Sequence, residues 1–176
     1  MPWPFAALWN DALTFDAFLQ QSTQHRDLWT GVYRTAQVPE WATDAASRLQ
    51  RRFRFVVLAE DWCGDASSTV PVVARFAEAA GIELRVLRRD QHPEVMDRYL
   101  SPTGARAIPV VIVLTEAMEE IGHWGSRPAE LQELVMGERA RGRTSKAYFP
   151  DVRRWYAMDH GESTLREILA VMAGGR

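Results

Sequence analysis

One continuous apolar run constrains the fold more than any other feature of the chain. Residues 52–59 read Arg-Phe-Arg-Phe-Val-Val-Leu-Ala, which changes from alternation to unbroken hydrophobicity. A strand buried on both faces in the middle of a parallel sheet has this pattern. Residues 66–80 then place apolar side chains at helical spacing and end at Gly81, a typical helix stop. The sequence therefore predicts a central strand followed closely by a helix.

Three further strands are expected after this helix. Residues 82–89 alternate as a second strand, residues 109–114 form a third, and residues 118–124 form a fourth. Short joins between strand, helix and strand imply a right-handed parallel unit. The short connection between the third and fourth strands favours an antiparallel hairpin. The fold class is therefore predicted to be α/β with a small mixed sheet.

The two ends of the chain are predicted to be extensions of this core. Residues 1–51 have helical spacing and form an N-terminal helical extension, residues 52–140 form the core, and residues 141–176 form a C-terminal extension. Thr164 and Glu167 match a capping box, which predicts an extra final helix at about residues 164–173 that packs on the core. Residues 142–160 show no clear period, and we expect them to wrap the surface.

Composition excludes several classes of function. The 176 residues carry a net charge of -2, so the chain has no basic field that would attract nucleic acid. No apolar run approaches the ~18 residues of a membrane span, and the first residues lack signal-peptide features. We therefore expect a cytoplasmic protein with no membrane partner. The four histidines lack ligand spacing and no glycine-rich phosphate loop is present, so neither a metal nor another cofactor is expected.

Cys63 is the only cysteine, so an intramolecular disulfide and a thiolate zinc cluster are excluded. It lies where the central strand passes to the helix, and a helix N-terminus favours a thiolate over a thiol. Three carboxylates that we expect to be solvated lie in the same turn and act to raise the pKa of the thiol; they are Glu60, Asp61 and Asp65. The sequence leaves open whether the helix N-terminus or the carboxylates dominate the pKa of the thiol. A lone cysteine is more often a buried small hydrophobic residue than a nucleophile.

The residues around Cys63 resemble the thioredoxin superfamily over residues 52–140. Trp62-Cys63-Gly64 precedes a helix, and Pro71 follows eight residues after the cysteine, where thioredoxins have a helix-kinking proline. Residues 106–109, Arg-Ala-Ile-Pro, are similar to the segment with the family's cis-proline, and Gly125 follows sixteen residues later. The motif Trp-Cys-Gly-Asp resembles that of a bacterial thioredoxin-like group. The resemblance implies a three-layer α/β/α sandwich in which a cis Pro109 lies beside Cys63.

The chain also departs from the thioredoxin pattern at three positions. Ala66 stands where thioredoxins have a second, resolving cysteine, Asp65 replaces their usual proline, and Val57 stands where they bury a carboxylate. A cycle that uses two cysteines of one chain is therefore impossible. The resemblance then implies a possible enzyme, a monothiol thiol–disulfide oxidoreductase in which Cys63 is the catalytic nucleophile. A disulfide-containing protein or a low-molecular-weight thiol would be its partner, and an external thiol would resolve the mixed disulfide.

The resemblance also implies a substrate groove around Cys63. Its residues would be Trp62, Gly64, Asp65, Ile108, Pro109, Trp124 and Gly125. The backbone at Ile108 would pair with an extended substrate strand, and the two tryptophans would form an apolar rim. The alternative is a catalytically inactive binding module of the same fold, which holds a protein partner or pairs with its own copy as a homodimer.

Overall fold

The computed structural model describes residues 3–174, and within them five strands form a single sheet. The sheet order is β1-β3-β2-β4-β5. The β2–β3 pair is parallel, whereas the β1–β3, β2–β4 and β4–β5 pairs are antiparallel. The mixed sheet predicted from the sequence is therefore confirmed. The strands are β1 (Leu13–Thr14), β2 (Phe53–Ala59), β3 (Glu83–Arg88), β4 (Val110–Thr115) and β5 (Glu120–Gly125).

Nine α-helices accompany this sheet within the same residues. Four precede β2, one connects β2 to β3, one lies between β3 and β4, and three follow β5. The first five are α1 (Phe5–Asp11), α2 (Phe15–Gln21), α3 (Arg26–Thr35), α4 (Glu40–Arg48) and α5 (Gly64–Ala80). The others are α6 (Pro93–Met96), α7 (Ala129–Ala140), α8 (Ser145–Asp159) and α9 (Glu162–Met172). Of the described helices, none is long and apolar enough to cross a membrane.

Strand β2 occupies the centre of the sheet, as its apolar run predicts. It pairs with β3 on one side and β4 on the other, with Val57 opposite both Val86 and Val111. Successive side chains of a strand point to opposite faces of a sheet. Val56 and Val57 are neighbours in β2, and both are completely buried. Both faces of the central strand are therefore covered.

Helices cover the two faces of the sheet, which makes the molecule a three-layer α/β/α sandwich. On one face the ring of Phe55 stacks with that of Phe76 in α5, with 6.4 Å between ring centroids. Arg54, the neighbour of Phe55 in β2, points to the other face and lies over the Trp9 ring of α1 at 5.6 Å. The predicted thioredoxin-like architecture is confirmed.

The N-terminal segment contains a strand as well as the predicted helices. Leu13 and Thr14 form β1, which pairs with β3 through Leu13 opposite Val86. Thr14 then caps α2, since its hydroxyl accepts a hydrogen bond from the Ala17 backbone N–H at 3.1 Å. The prediction of a purely helical segment was therefore incomplete, because a two-residue strand is too short to produce a period of its own.

The capping box predicted for the last helix is wrong. Helix α9 begins earlier, at Glu162, and Thr164 lies inside it with 1% of its surface exposed. The Glu167 carboxylate instead accepts hydrogen bonds from the Trp124 indole N–H at 2.5 Å and from the Ala129 backbone N–H at 2.8 Å. Glu167 therefore joins α9 to β5 and to the start of α7. These tertiary hydrogen bonds take the place of the predicted capping bond within α9.

Residues 142–160, which carry no clear period, are mostly helical. They contain α8, which packs against α7 through a small apolar cluster separate from the main core. Its buried members are Leu131, Val135, Tyr148, Val152 and Tyr156. The helices α7 and α8 therefore form a hairpin with its own apolar centre.

Candidate active site

Cys63 lies at the end of the central layer, at the N-cap position of α5. Strand β2 ends at Ala59, and a short turn brings Cys63 into an extended backbone conformation before the helix begins. Its sulfur accepts a hydrogen bond from the Ala66 backbone N–H at 3.4 Å. The side chain therefore occupies the place of a helix cap, where backbone donors stabilise negative charge.

The Ile108–Pro109 segment lies directly beside this sulfur. The peptide bond between these two residues is cis, as the resemblance implied. The Cys63 thiol donates a hydrogen bond to the Ile108 carbonyl oxygen at an Sγ–O distance of 3.6 Å. Two segments that are 45 residues apart in sequence therefore meet at the thiol.

The thiol is buried, and burial decides its protonation state. Cys63 has 9% of its surface exposed. Burial has the largest effect on the pKa of the thiol and raises it. The hydrogen bond from the Ala66 N–H lowers the pKa, and the negative charge of Asp65 raises it. The resulting pKa is about 11. The structure therefore answers the question left open by the sequence, because desolvation outweighs the helix N-terminus.

The acidic residues before the cysteine are buried, so the prediction that they are solvated was wrong. Glu60 is 5% exposed and forms an ion pair with Arg88 at 3.3 Å. Asp61 is 6% exposed, and its carboxylate accepts hydrogen bonds from the backbone N–H groups of Thr23 and Gln24 at 2.8 and 3.2 Å. Burial acts to raise the pKa of Asp61, but these donors lower it below its ordinary value. The N-terminal helices are thereby fastened to the turn before Cys63.

Asp65 is also buried, and its carboxylate is occupied by other side chains of the chain. Arg127 binds it with two nitrogen atoms, at 2.7 and 3.0 Å, and the Tyr156 hydroxyl donates a hydrogen bond to it at 2.9 Å. Burial and the charge of Asp65 raise the pKa of Tyr156. Asp65 therefore links the start of α5 to the segment before α7 and to α8. It does not face the predicted groove with a free carboxylate.

Helix α8 also covers the backbone of Gly64. The Phe149 ring occupies the space of a side chain at this position, because a Cβ atom on Gly64 would lie 2.1 Å from the ring. A side chain at position 64 would therefore displace the Phe149 ring. Sequence reasoning missed Phe149, Arg127 and Tyr156. The one signal for Phe149 and Tyr156 was the aromatic content of residues 142–160, and Arg127 lies outside that segment.

The two tryptophans of the predicted rim differ in position. Trp62 is 39% exposed, and the Arg89 guanidinium lies over its ring at 4.8 Å. Trp124 is 6% exposed, and its indole is directed to Glu167 of α9. Only Trp62 is therefore presented at the surface beside the cysteine turn.

Gly125 lies against the cis-proline segment, in the place that its spacing implied. A Cβ atom on Gly125 would lie 2.3 Å from the Pro109 carbonyl oxygen, so only a glycine permits this approach. Ile108 and Pro109 are buried, whereas Gly125 is exposed. Of the residues predicted to form the groove, Ile108 contacts the Cys63 thiol and Gly125 lies against Pro109, whereas Asp65 and Trp124 bind other side chains. Among residues 3–174 no group of three His, Cys, Asp or Glu side chains is arranged to hold a metal.

Comparison with known proteins supports the fold. A protein of unknown function from Pseudomonas aeruginosa is 21% identical, with 97% of each chain covered and a TM-score of 0.76. An HIV epitope scaffold is also 21% identical, with 98% of this chain and 99% of its own covered and a TM-score of 0.75. No curated protein sequence matches the chain. The thioredoxin family model matches residues 12–145, which is three quarters of the sequence. The chain belongs to the thioredoxin family.

Proposed function

We propose that Cys63 performs monothiol thiol–disulfide exchange. The Cys63 thiol loses its proton to solvent, and the thiolate attacks one sulfur of a disulfide. A mixed disulfide forms and the other sulfur leaves as a thiolate. An external thiolate then attacks the substrate sulfur of the mixed disulfide, which forms a new disulfide and releases the Cys63 thiolate. The cycle moves a disulfide between partners with no net oxidation or reduction, and it needs no second cysteine in the chain.

The observation that carries this proposal is the meeting of Cys63 with the cis-proline segment. The sulfur lies at the N-terminus of α5 and 3.6 Å from the Ile108 carbonyl oxygen. The exposed Trp62 adjoins it in sequence and supplies an apolar surface at the same turn. A disulfide-containing protein or a low-molecular-weight disulfide is the substrate class that this arrangement favours.

The raised pKa sets the rate of the proposed reaction. With a pKa of about 11, roughly one thiol in 10⁴ is ionised at pH 7 by the ordinary titration relation. The thiolate is the nucleophile, so exchange at neutral pH is slow while the thiol stays buried. A higher pH ionises a larger fraction of the thiol and makes the exchange faster.

The same raised pKa favours a second candidate, a binding module that has lost catalysis. In that case the protonated Cys63 thiol is a structural group that donates its hydrogen bond to Ile108. The surface at Trp62 would then hold a protein partner, or a second copy of the chain, without a covalent bond. This candidate requires no access of a disulfide to the sulfur.

A mixed disulfide separates the two candidates. We expect native protein incubated with oxidised glutathione at pH 9 to gain one glutathione, detected by intact mass spectrometry, and Cys63→Ser to gain none. Circular dichroism at the same pH verifies that both proteins remain folded. If the native protein stays unmodified while the unfolded chain is modified, Cys63 is inaccessible in the fold and the binding module is correct.

A further inference from the structure

A large cavity lies beside α5, away from the cis-proline segment. It has a volume of about 1020 Å³ and lies between α3, the loop before α4, α5, α8 and the α8–α9 turn. Sites for small molecules commonly span ~300–1,000 Å³, so the cavity has room for an organic ligand. Neither of the functions proposed above uses this space.

One wall of the cavity is aliphatic. Val72 of α5 is 5% exposed, and three partly exposed aliphatic side chains line the same cavity: Leu28, Val32 and Val38. The Gly161 turn packs against Val72, so the partly exposed surfaces of Leu28, Val32 and Val38 supply most of the apolar area that faces the cavity. Exposed apolar surface commonly marks a binding site. This wall would gain free energy from contact with a hydrocarbon chain.

The side of the cavity formed by α8 and the start of α9 carries the side chains of Arg153, Arg154, His160 and Glu162 beside the buried Tyr156. Two of them have partners, since Arg154 pairs with Asp151 at 3.5 Å and Glu162 pairs with Arg166 at 3.6 Å. Arg153 is exposed and forms no ion pair with any residue from 3 to 174. This side of the cavity therefore offers one uncompensated guanidinium.

We propose that this cavity binds a linear apolar monocarboxylate. The hydrocarbon chain lies against Leu28, Val32 and Val38, and the carboxylate binds the Arg153 guanidinium, whose planar donors match carboxylate geometry. The cavity has one apolar side and one cationic side, and an anionic amphiphile complements both. A neutral hydrocarbon or a small inorganic anion would satisfy only one of them.

Titration calorimetry with dodecanoate, below its micelle concentration, tests the proposal on the full chain. We expect saturable binding to one site per chain. The affinity should rise about fourfold for each methylene from octanoate to dodecanoate, because each added group is buried. Dodecanol, which has the same chain without the charge, should bind more weakly. Cys63→Ser should bind as the native protein does, because the site does not use the thiol.

Two variants test the two sides of the cavity. Arg153→Gln should weaken dodecanoate binding about threefold to fivefold, the effect of one solvent-accessible ion pair. The matched control Arg48→Gln changes an exposed arginine that does not line the cavity and should leave affinity unchanged. Ala157→Trp fills the cavity from an exposed position on α8, which spares the core, and should abolish binding.

Three results would overturn the assignment. They are the absence of saturable binding to the native protein, an Ala157→Trp variant that remains folded and binds equally well, and equal affinities for dodecanol and dodecanoate. Failure of mixed-disulfide formation at Cys63 would leave this site unaffected, since the calorimetric signal does not depend on the thiol.

Discussion

Replacing Arg127 with methionine should lower the free energy of unfolding by about 3 kcal/mol or more, because it leaves the buried Asp65 carboxylate without its cation. The two side chains are 15% and 8% exposed and are joined by two short hydrogen bonds. Tyr156 alone would remain as a partner of the carboxylate. The change also breaks the link between α5 and the segment that leads into α7. Urea unfolding followed by circular dichroism measures the loss.

Arg106→Met is the matched control for this experiment. Arg106 forms a similar two-nitrogen pair with Asp97, but both side chains are about half exposed. Water solvates such a pair whether or not it forms, so the control variant should unfold almost as the native protein does. Equal loss of stability in the two variants would show that burial does not increase the contribution of the Arg127–Asp65 ion pair to the free energy of unfolding.

Alkylation of Cys63 should accelerate steeply with pH. The folded thiol has a pKa of about 11. Only the thiolate reacts, so the rate constant should increase about tenfold per pH unit below the pKa, or about a thousandfold from pH 7 to pH 10. The rate of iodoacetamide modification, measured by mass spectrometry, reports this one thiol because Cys63 is the only cysteine.

The same chain in urea is the control for the alkylation profile. Unfolding removes the burial that raises the pKa, so the denatured thiol should titrate near the ordinary value of about 8.5. The folded and unfolded profiles should therefore differ most near neutral pH, where the folded thiol is the more strongly protonated. A folded midpoint at or below the unfolded midpoint would mean that the helix N-terminus outweighs desolvation.

The central layer of the fold could be predicted from the sequence because its signals are local. The apolar composition of residues 52–59 is enough to predict that β2 is buried. Gly81 ends α5 in a left-handed conformation with φ of 68°. The position of Pro109 relative to Cys63 came from spacing shared with a known family. A conformation that depends on a residue's own neighbours leaves a pattern in the sequence.

The surroundings of the thiol could not be predicted, because they depend on tertiary partners. The Asp65 carboxylate meets Tyr156, which lies 91 residues later, and no local period connects them. A capping box at Thr164 and Glu167 was a reasonable local expectation, but Glu167 binds Trp124 instead. The burial of Cys63, and with it the pKa of the thiol, follows from such long-range contacts.

The most direct test of the central claim is whether the chain turns over a disulfide through Cys63. Reduction of a disulfide-linked peptide by reduced glutathione at pH 9 should be faster with native protein than without it. Cys63→Ser, verified as folded, should give only the uncatalysed rate. Equal rates for the native protein, the serine variant and buffer alone would contradict exchange at Cys63.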